Sequence, residues 1–284
     1  MSEHSILIAG CGDIGTRLGL QLVAGGRTVI GLRRDPSRLP PGITRFPADL
    51  SAPATLRELP RDIEDIVYIP SAGSYSDESW REAYVTGLRH LLAATPTPRR
   101  LVYISSTSVY PQDDGSWVDV DSVTGGDSFS AQRLLEGEAV ARTAGGTSLR
   151  LSGIYGPGRT MLIDMVRNGT ANYLSTRTEY TNRIHADDAA GALAHILALA
   201  SPDPTYLATD DAPSPRQEVL TWLATRLKAA PPRAVDELPP SSRRFRSSKR
   251  CTNRALRETG WAPQYPSYRE GYAALISTIR ERPS

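Results

Sequence analysis

Three closely spaced glycines, an arginine pair and one aspartate could together hold a dinucleotide. The stretch GCGDIG (10–15) supplies Gly10, Gly12 and Gly15, with Asp13 and Ile14 between them. In such a spacing the first glycine permits a tight turn and the second lets backbone approach a pyrophosphate. The third permits close packing of helix on strand, and the helix N-terminus offers free N–H groups to the phosphates. Further on stand Arg33 and Arg34, followed by Asp35. An acidic residue near this point accepts hydrogen bonds from the ribose hydroxyls of NAD, whereas guanidinium groups suit the 2′-phosphate of NADP. The arginine pair predicts NADP rather than NAD. The alternative is that both are solvated residues of an arginine-rich chain, or that Asp35 turns inward. Asp49, in ADL (48–50), can accept from an adenine amino group or cap a turn.

The elements needed to position these residues are legible as alternating patterns. SILIAG (5–10), TVIGLR (28–33), DIVYIP (65–70), LVYISS (101–106) and SLRLSG (148–153) read as buried parallel strands. Amphipathic segments lie near 14–24, 77–94 and 128–144. Strand and helix in alternation predict an α/β fold, a Rossmann-type doubly wound parallel sheet. After about residue 155 the pattern changes, which predicts a nucleotide-binding region over 1–155 and a smaller α/β substrate lobe over 156–284, with segments free to interleave. The stretch 229–250, rich in proline, serine and arginine, reads as disordered or as a loop that closes over a site.

Composition narrows the function classes. The 284 residues carry 33 basic and 31 acidic side chains, a net charge of +2 that gives no reason to expect nucleic acid or an anionic membrane as partner. No run approaches the ~20 apolar residues of a membrane span, and the N-terminus lacks the pattern of a signal peptide, so a cytoplasmic location is expected. Two cysteines, Cys11 and Cys251, suggest no disulfide framework, and four scattered histidines give no metal site. Only Lys228 and Lys249 are lysines, so 31 of the 33 basic residues are arginine.

Three further stretches follow GCGDIG in order: ISSTSVYP (104–111), LRLSGIYGPGR (149–159) and NRIHADDAAGAL (182–193). Together the four resemble the extended short-chain dehydrogenases/reductases, specifically the NAD(P)-dependent epimerase/dehydratase group. The resemblance implies a serine that hydrogen-bonds the substrate oxygen, which carries over to Ser106. It also implies a tyrosine that moves the proton, and a lysine four residues later that holds the nicotinamide ribose; i and i+4 share one helix face. In GDSFSAQRLLEGEA (126–139) that frame falls on Phe129 and Arg133. No tyrosine elsewhere has a lysine four residues on. Tyr155/Arg159, Tyr173/Arg177 and Tyr265/Arg269 have the spacing, with arginine for lysine and in poorly helical surroundings.

A phenyl ring cannot transfer a proton, and losing a positioned acid costs about 10²–10⁴ in rate. Arg133 can still bind the ribose. Substitute acids are Tyr110, which ends the catalytic strand, and Tyr75 in PSAGSYSDES (70–79); Ser130 could relay a proton through water. Ser71 and Ala72, in the same loop as Tyr75, are candidate cofactor contacts. Tyr75, Tyr155, Arg159 and Arg183 are candidate substrate contacts, Arg183 for an anionic substrate, while His185 is expected to be structural. Two readings follow. One is an atypical NADP-dependent oxidoreductase or epimerase acting on a small carbonyl compound or sugar-like metabolite. The other is an NADP(H)-binding sensor without catalysis. The resemblance also implies a homodimer, paired through the helices near 77–94 and 128–144.

Overall fold

A computed structural model describes residues 5–237 and 247–280. Two compact units emerge, each assembled from three segments. The first comprises Met1–Val109, Thr124–Leu151 and Ala189–Tyr206, and the second Tyr110–Val123, Ser152–Asp188 and Leu207–Ser284.

The first unit is built on a seven-stranded sheet of β1 (Ser5–Ala9), β2 (Thr28–Arg33), β3 (Ile43–Pro47), β4 (Ile63–Tyr68), β5 (Arg100–Ser106), β6 (Thr147–Leu151) and β7 (Thr205–Ala208). The strand order is β7-β6-β5-β4-β1-β2-β3, and the pairings from β6 through to β3 are parallel. This is the doubly wound sheet that the sequence predicts. Every residue of β1 is buried, as a strand covered on both faces requires. Leu7 sits beside Ile30 on one side and Ile66 on the other. The chain builds outward from β1 to β3, then returns to place β4 on the opposite side of β1. The resulting switch point, outside the C-terminal ends of β1 and β4, is where such sheets open a crevice.

Helix α1 (Asp13–Ala24) follows β1. After β4 come α2 (Asp77–Arg81), a π-helical turn over Glu82–Thr86 and α3 (Gly87–Ala94), so the segment near 77–94 is one helical run with a widened middle turn. Helix α4 (Phe129–Thr143) is capped by the Ser128 hydroxyl, which accepts from Ala131 N. Ala131 and Leu134 are buried on it and Leu135 partly so, while Ala139 is exposed. Arg133, Gly137 and Glu138 are buried as well, and two contacts account for Gly137 and Glu138. A Cβ at Gly137 would overlap Tyr103 Oη and Tyr84 O, so this turn packs backbone against β5. Glu138 is fully buried and accepts from Arg150 Nη2 at 2.7 Å, Arg150 Nε at 2.9 Å and Ser105 Oγ at 2.6 Å.

In the second unit, Arg183–His185 pairs in parallel with Gly153–Tyr155, and Tyr180–Thr181 antiparallel with Ser214–Pro215. Helices α5 (Met161–Arg167), α6 (Ala186–Ala198, which runs on into the first unit), α7 (Arg216–Leu227), α8 (Arg254–Glu258) and α9 (Tyr268–Arg280) complete the helical set of the described residues. Ile163, Val166, Val219, Leu220, Leu223, Tyr268, Tyr272 and Leu275 form this unit's core. Of the stretch 229–250, Arg233–Val235 is a strand paired with Asn172–Leu174, and 238–246 lie outside the described residues. Among the described residues no helix is long and apolar enough to cross a membrane.

Candidate functional site

At the switch point of the first unit lies a cleft of about 440 Å³, within the ordinary range for a small-molecule site. Its floor is the turn from β1 into α1. Gly10 has φ +84°, and a Cβ there would overlap the Ile69 carbonyl oxygen, so the turn demands glycine for its own sake. Gly15 is similarly enforced by packing, with Ile8 Cγ2 only 2.9 Å from where its Cβ would stand. Gly12 is different. Its φ of −90° is not left-handed, and an added Cβ would meet nothing nearer than Gly10 O at 3.9 Å. Gly12 lines the cleft and caps α1, whose first N–H groups have no intrahelical acceptor. Nothing in the protein fills the space that its missing side chain leaves.

Of the residues expected at this site, Gly10, Gly12, Arg33, Arg34, Asp49 and Ser71 line the cleft, together with Asp35. Asp13, Ile14, Gly15 and Ala72 flank it in sequence without lining it. Arg33 is anchored by a bond from Nη1 to Cys11 O at 3.3 Å, and Arg34 is exposed. Asp35 is turned to its own loop, where Oδ1 accepts from Ser37 N at 3.0 Å. Asp49 Oδ1 accepts from Ser51 N at 3.0 Å and Ser51 Oγ at 2.8 Å, and these bonds hold its carboxyl below the usual range. Sequence reasoning missed Ser79 and Glu82, which also line the cleft. Ser79 Oγ accepts from Gly73 N and Ser74 N and so fixes the loop after β4. The available signal was Ser76, whose hydroxyl caps α2 by accepting from Ser79 N.

Ser106 ends β5. Alternation along the strand sends Ser105 to the buried Glu138 and Ser106 the other way. Ser106 Oγ accepts from Ser108 N at 3.1 Å, which leaves its O–H proton free to donate. Phe129 opens α4 and packs against Tyr75, with ring centroids 4.9 Å apart, and edge-on to Trp80 at 6.2 Å. Trp80 in turn stacks on Tyr84. An aromatic cluster thus surrounds the position at which the resemblance expects a tyrosine, and Tyr75 stands half exposed at its edge. Arg133 forks onto Asp77, Nε to Oδ1 at 2.5 Å and Nη2 to Oδ2 at 3.0 Å, and Nη1 donates to Glu136. Three of its five N–H donors are committed, and the Arg133 bond holds the Asp77 carboxyl below its usual range. Ser130 is buried and shares a hydrogen bond with the Ser128 hydroxyl.

Tyr110 belongs to the second unit, where its ring is buried and its carbonyl accepts from Lys249 Nζ at 2.9 Å. In that unit Tyr155, Arg159 and Arg183 line one cavity, and Arg216 and Tyr272 join them there, missed by sequence reasoning. Burial raises the Tyr155 phenol, reinforced by Asp210. His185 is buried, and its Nδ1 accepts from Asp187 N at 3.2 Å, which ties it to the start of α6.

Comparison with known proteins fits this architecture. A protein of Methylobacillus flagellatus, described as an NAD-dependent epimerase/dehydratase, is 36% identical, with 98% of this chain and 100% of that one aligned at a TM-score of 0.82. The dTDP-glucose 4,6-dehydratase of Streptomyces venezuelae, solved with NAD bound, shares the fold at 23% identity and a TM-score of 0.79, with 98% and 97% covered. A 3-diazoavenalumate denitrifying reductase of a Streptomyces species is 29% identical over 94% of this chain and 98% of its own. Residues 6–207 match the model of the NAD dependent epimerase/dehydratase family. The chain is therefore a member of the NAD dependent epimerase/dehydratase family.

Proposed function

We propose that this chain is an NADP-dependent oxidoreductase or epimerase acting on a small carbonyl compound or sugar-like metabolite. The observation that carries the reading is Gly12. The fold tolerates a side chain there, yet the position is left bare at the mouth of a helix N-terminus, facing a 440 Å³ cleft. A pyrophosphate in contact with backbone N–H groups accounts for that. In favour of NADP are two guanidinium groups at the cleft and an aspartate, Asp35, engaged by Ser37 instead. The resemblance to a denitrifying reductase supports reduction as the direction.

When bound, the dinucleotide supplies hydride transfer at its nicotinamide ring. The protein's part is positional. Gly12 and the start of α1 hold the pyrophosphate, Arg33 and Arg34 the 2′-phosphate, and Ser106 donates its free O–H to the substrate oxygen. Tyr75, the half-exposed phenol against Phe129, is the proton source in the first unit. Titration calorimetry with NADPH and NADH, on the native protein and the Arg33→Ala/Arg34→Ala variant, tests the cofactor assignment. Tight NADPH binding that collapses in the variant is expected, and binding of neither nucleotide defeats the reading.

A second reading, an NADP(H) sensor without turnover, draws on Phe129 and on the commitment of Arg133 to Asp77 and Glu136. Ser106→Ala separates the two: carbonyl reduction lost with NADPH affinity kept supports the enzyme. A native protein that binds NADPH and reduces no carbonyl compound supports the sensor.

A further inference from the structure

The cavity of the second unit is lined by two arginines, Arg183 buried and Arg216 half-buried, neither of which has an ion-pair partner among the described residues, although Asp210 and Glu218 act electrically on Arg183 and Glu179 on Arg216. Arg183 is 4% exposed. Its Nη2 donates to Thr181 Oγ1 and its guanidinium lies over the Tyr268 ring at 5.4 Å, yet no carboxylate comes within ion-pair distance and Nη1 has no hydrogen-bond partner. Arg216 lines the same cavity, is bonded through Nε to Asn172 O at 2.9 Å, and has no ion pair among the described residues, the buried Glu179 carboxylate acting on it from further off. The two guanidinium groups raise each other's cost of burial, and desolvation lowers the tendency of Arg216 to hold its charge. Buried charges of this kind are ordinarily paired.

The surroundings complete a recognition site. Tyr155 contributes its ring to the wall, its hydroxyl lying against Gly271 of α9 with no partner among the described residues. Asp210, close enough to act electrically on Tyr155 and Arg183, has its carboxyl pushed up to about 7 by burial, so it neutralises the cations only in part at neutral pH. The remaining walls are apolar: Ile154, Leu162, Val219 and Leu220. The cavity measures about 180 Å³. That is small for a nucleoside diphosphate sugar, and of a size for one carboxylate on a compact apolar body.

We propose that this cavity binds the carboxylate of a small apolar acid, with Arg183 and Arg216 as its counter-ions. The inference stands apart from the oxidoreductase reading. Binding itself does not depend on it.

The test uses the full chain without cofactor and follows benzoate, its neutral isostere benzamide and inorganic phosphate by titration calorimetry. Benzoate is expected to bind at least about tenfold more tightly than benzamide, a gap of about 1.4 kcal/mol. Arg183→Met and Arg216→Met are each expected to erase that preference while NADPH affinity stays native. Equal binding of benzoate and benzamide by the native protein overturns the proposal, and this comparison needs no variant to fold. Phosphate binding without benzoate binding also overturns it, assigning the cavity to a phosphoryl group. Loss of NADPH binding in the native protein, with benzoate recognition intact, would sink the oxidoreductase reading and leave the acid site standing.

Discussion

Substituting alanine at Gly10 and at Gly12 separates what the fold needs from what a ligand needs. At Gly10 the new methyl group meets the Ile69 carbonyl oxygen, and φ is +84°. The left-handed backbone alone costs an L-residue about 1–2 kcal/mol. Relief of the overlap adds a shift of β1 against β4, held together here by Ile69 N donating to Ala9 O at 2.8 Å, and overpacking of this kind costs about 1–3 kcal/mol. Gly10→Ala should therefore lose roughly 2–5 kcal/mol in urea unfolding. Gly12→Ala has neither penalty. Its φ of −90° is not left-handed and its Cβ finds open space, so stability should stay within about 1 kcal/mol of native. The methyl group instead intrudes where pyrophosphate meets backbone N–H. Losing one charge-assisted hydrogen bond costs about 1.5–3 kcal/mol, so NADPH affinity should fall roughly 10- to 100-fold by calorimetry. If Gly12→Ala binds NADPH like the native protein, the cleft does not hold the pyrophosphate and the reasoning fails. If it unfolds, the geometry at Gly12 is misjudged.

Further perturbations test the packing. Arg150→Met strands the fully buried Glu138 without its cation and should cost about 3–5 kcal/mol, read as a lowered urea midpoint at unchanged slope. Gly137→Ala drives a methyl group into Tyr103 Oη and Tyr84 O and should cost about 1–3 kcal/mol; a native midpoint would mean that α4 can slide on β5. Asp210 gives a signed pH effect. Its carboxyl is pushed up to about 7 by burial, so the folded protein keeps a proton that the unfolded chain releases near pH 4. More protons on the folded state means that stability falls as pH rises from about 4 to 7 and levels above. Asp210→Asn should flatten that slope in urea titrations at pH 4.5, 6 and 7.5, and an unchanged slope would refute the assignment.

The sheet was legible because strands covered on both faces read as near-continuous apolar runs, as SILIA and DIVYI do after their first residue. The glycine turn was legible because close backbone approach leaves only one residue type. Helix α4 was legible in place and in part of its buried face, Ala131 and Leu134. That the face extends to a glycine wedge at Gly137 and an ion pair from Glu138 to Arg150, a strand away, was not. Long-range pairings of that sort leave no local periodicity to read. Arg133 is the same case: Asp77, its partner, is 56 residues distant and looked like an ordinary helix-start aspartate. In the second unit the sequence pointed to Tyr155, Arg159 and Arg183 through motif resemblance. Arg216 carried no mark beyond following a proline at a helix start, in a chain where arginine is everywhere.

The interleaving of the two units has a bearing on how this chain can be cut, grown and handled. A fragment stopping near residue 155 contains the glycine turn and most of the sheet, yet lacks Thr205–Ala208, the strand that covers β6. All five residues of β6 are buried in the full chain. In the fragment they would form a bare outer rung, the kind of surface that recruits strands from other molecules. On the ribosome the same exposure lasts until some fifty further residues have emerged. The nucleotide half is thus no detachable module, and its solubility is a property of the whole polypeptide.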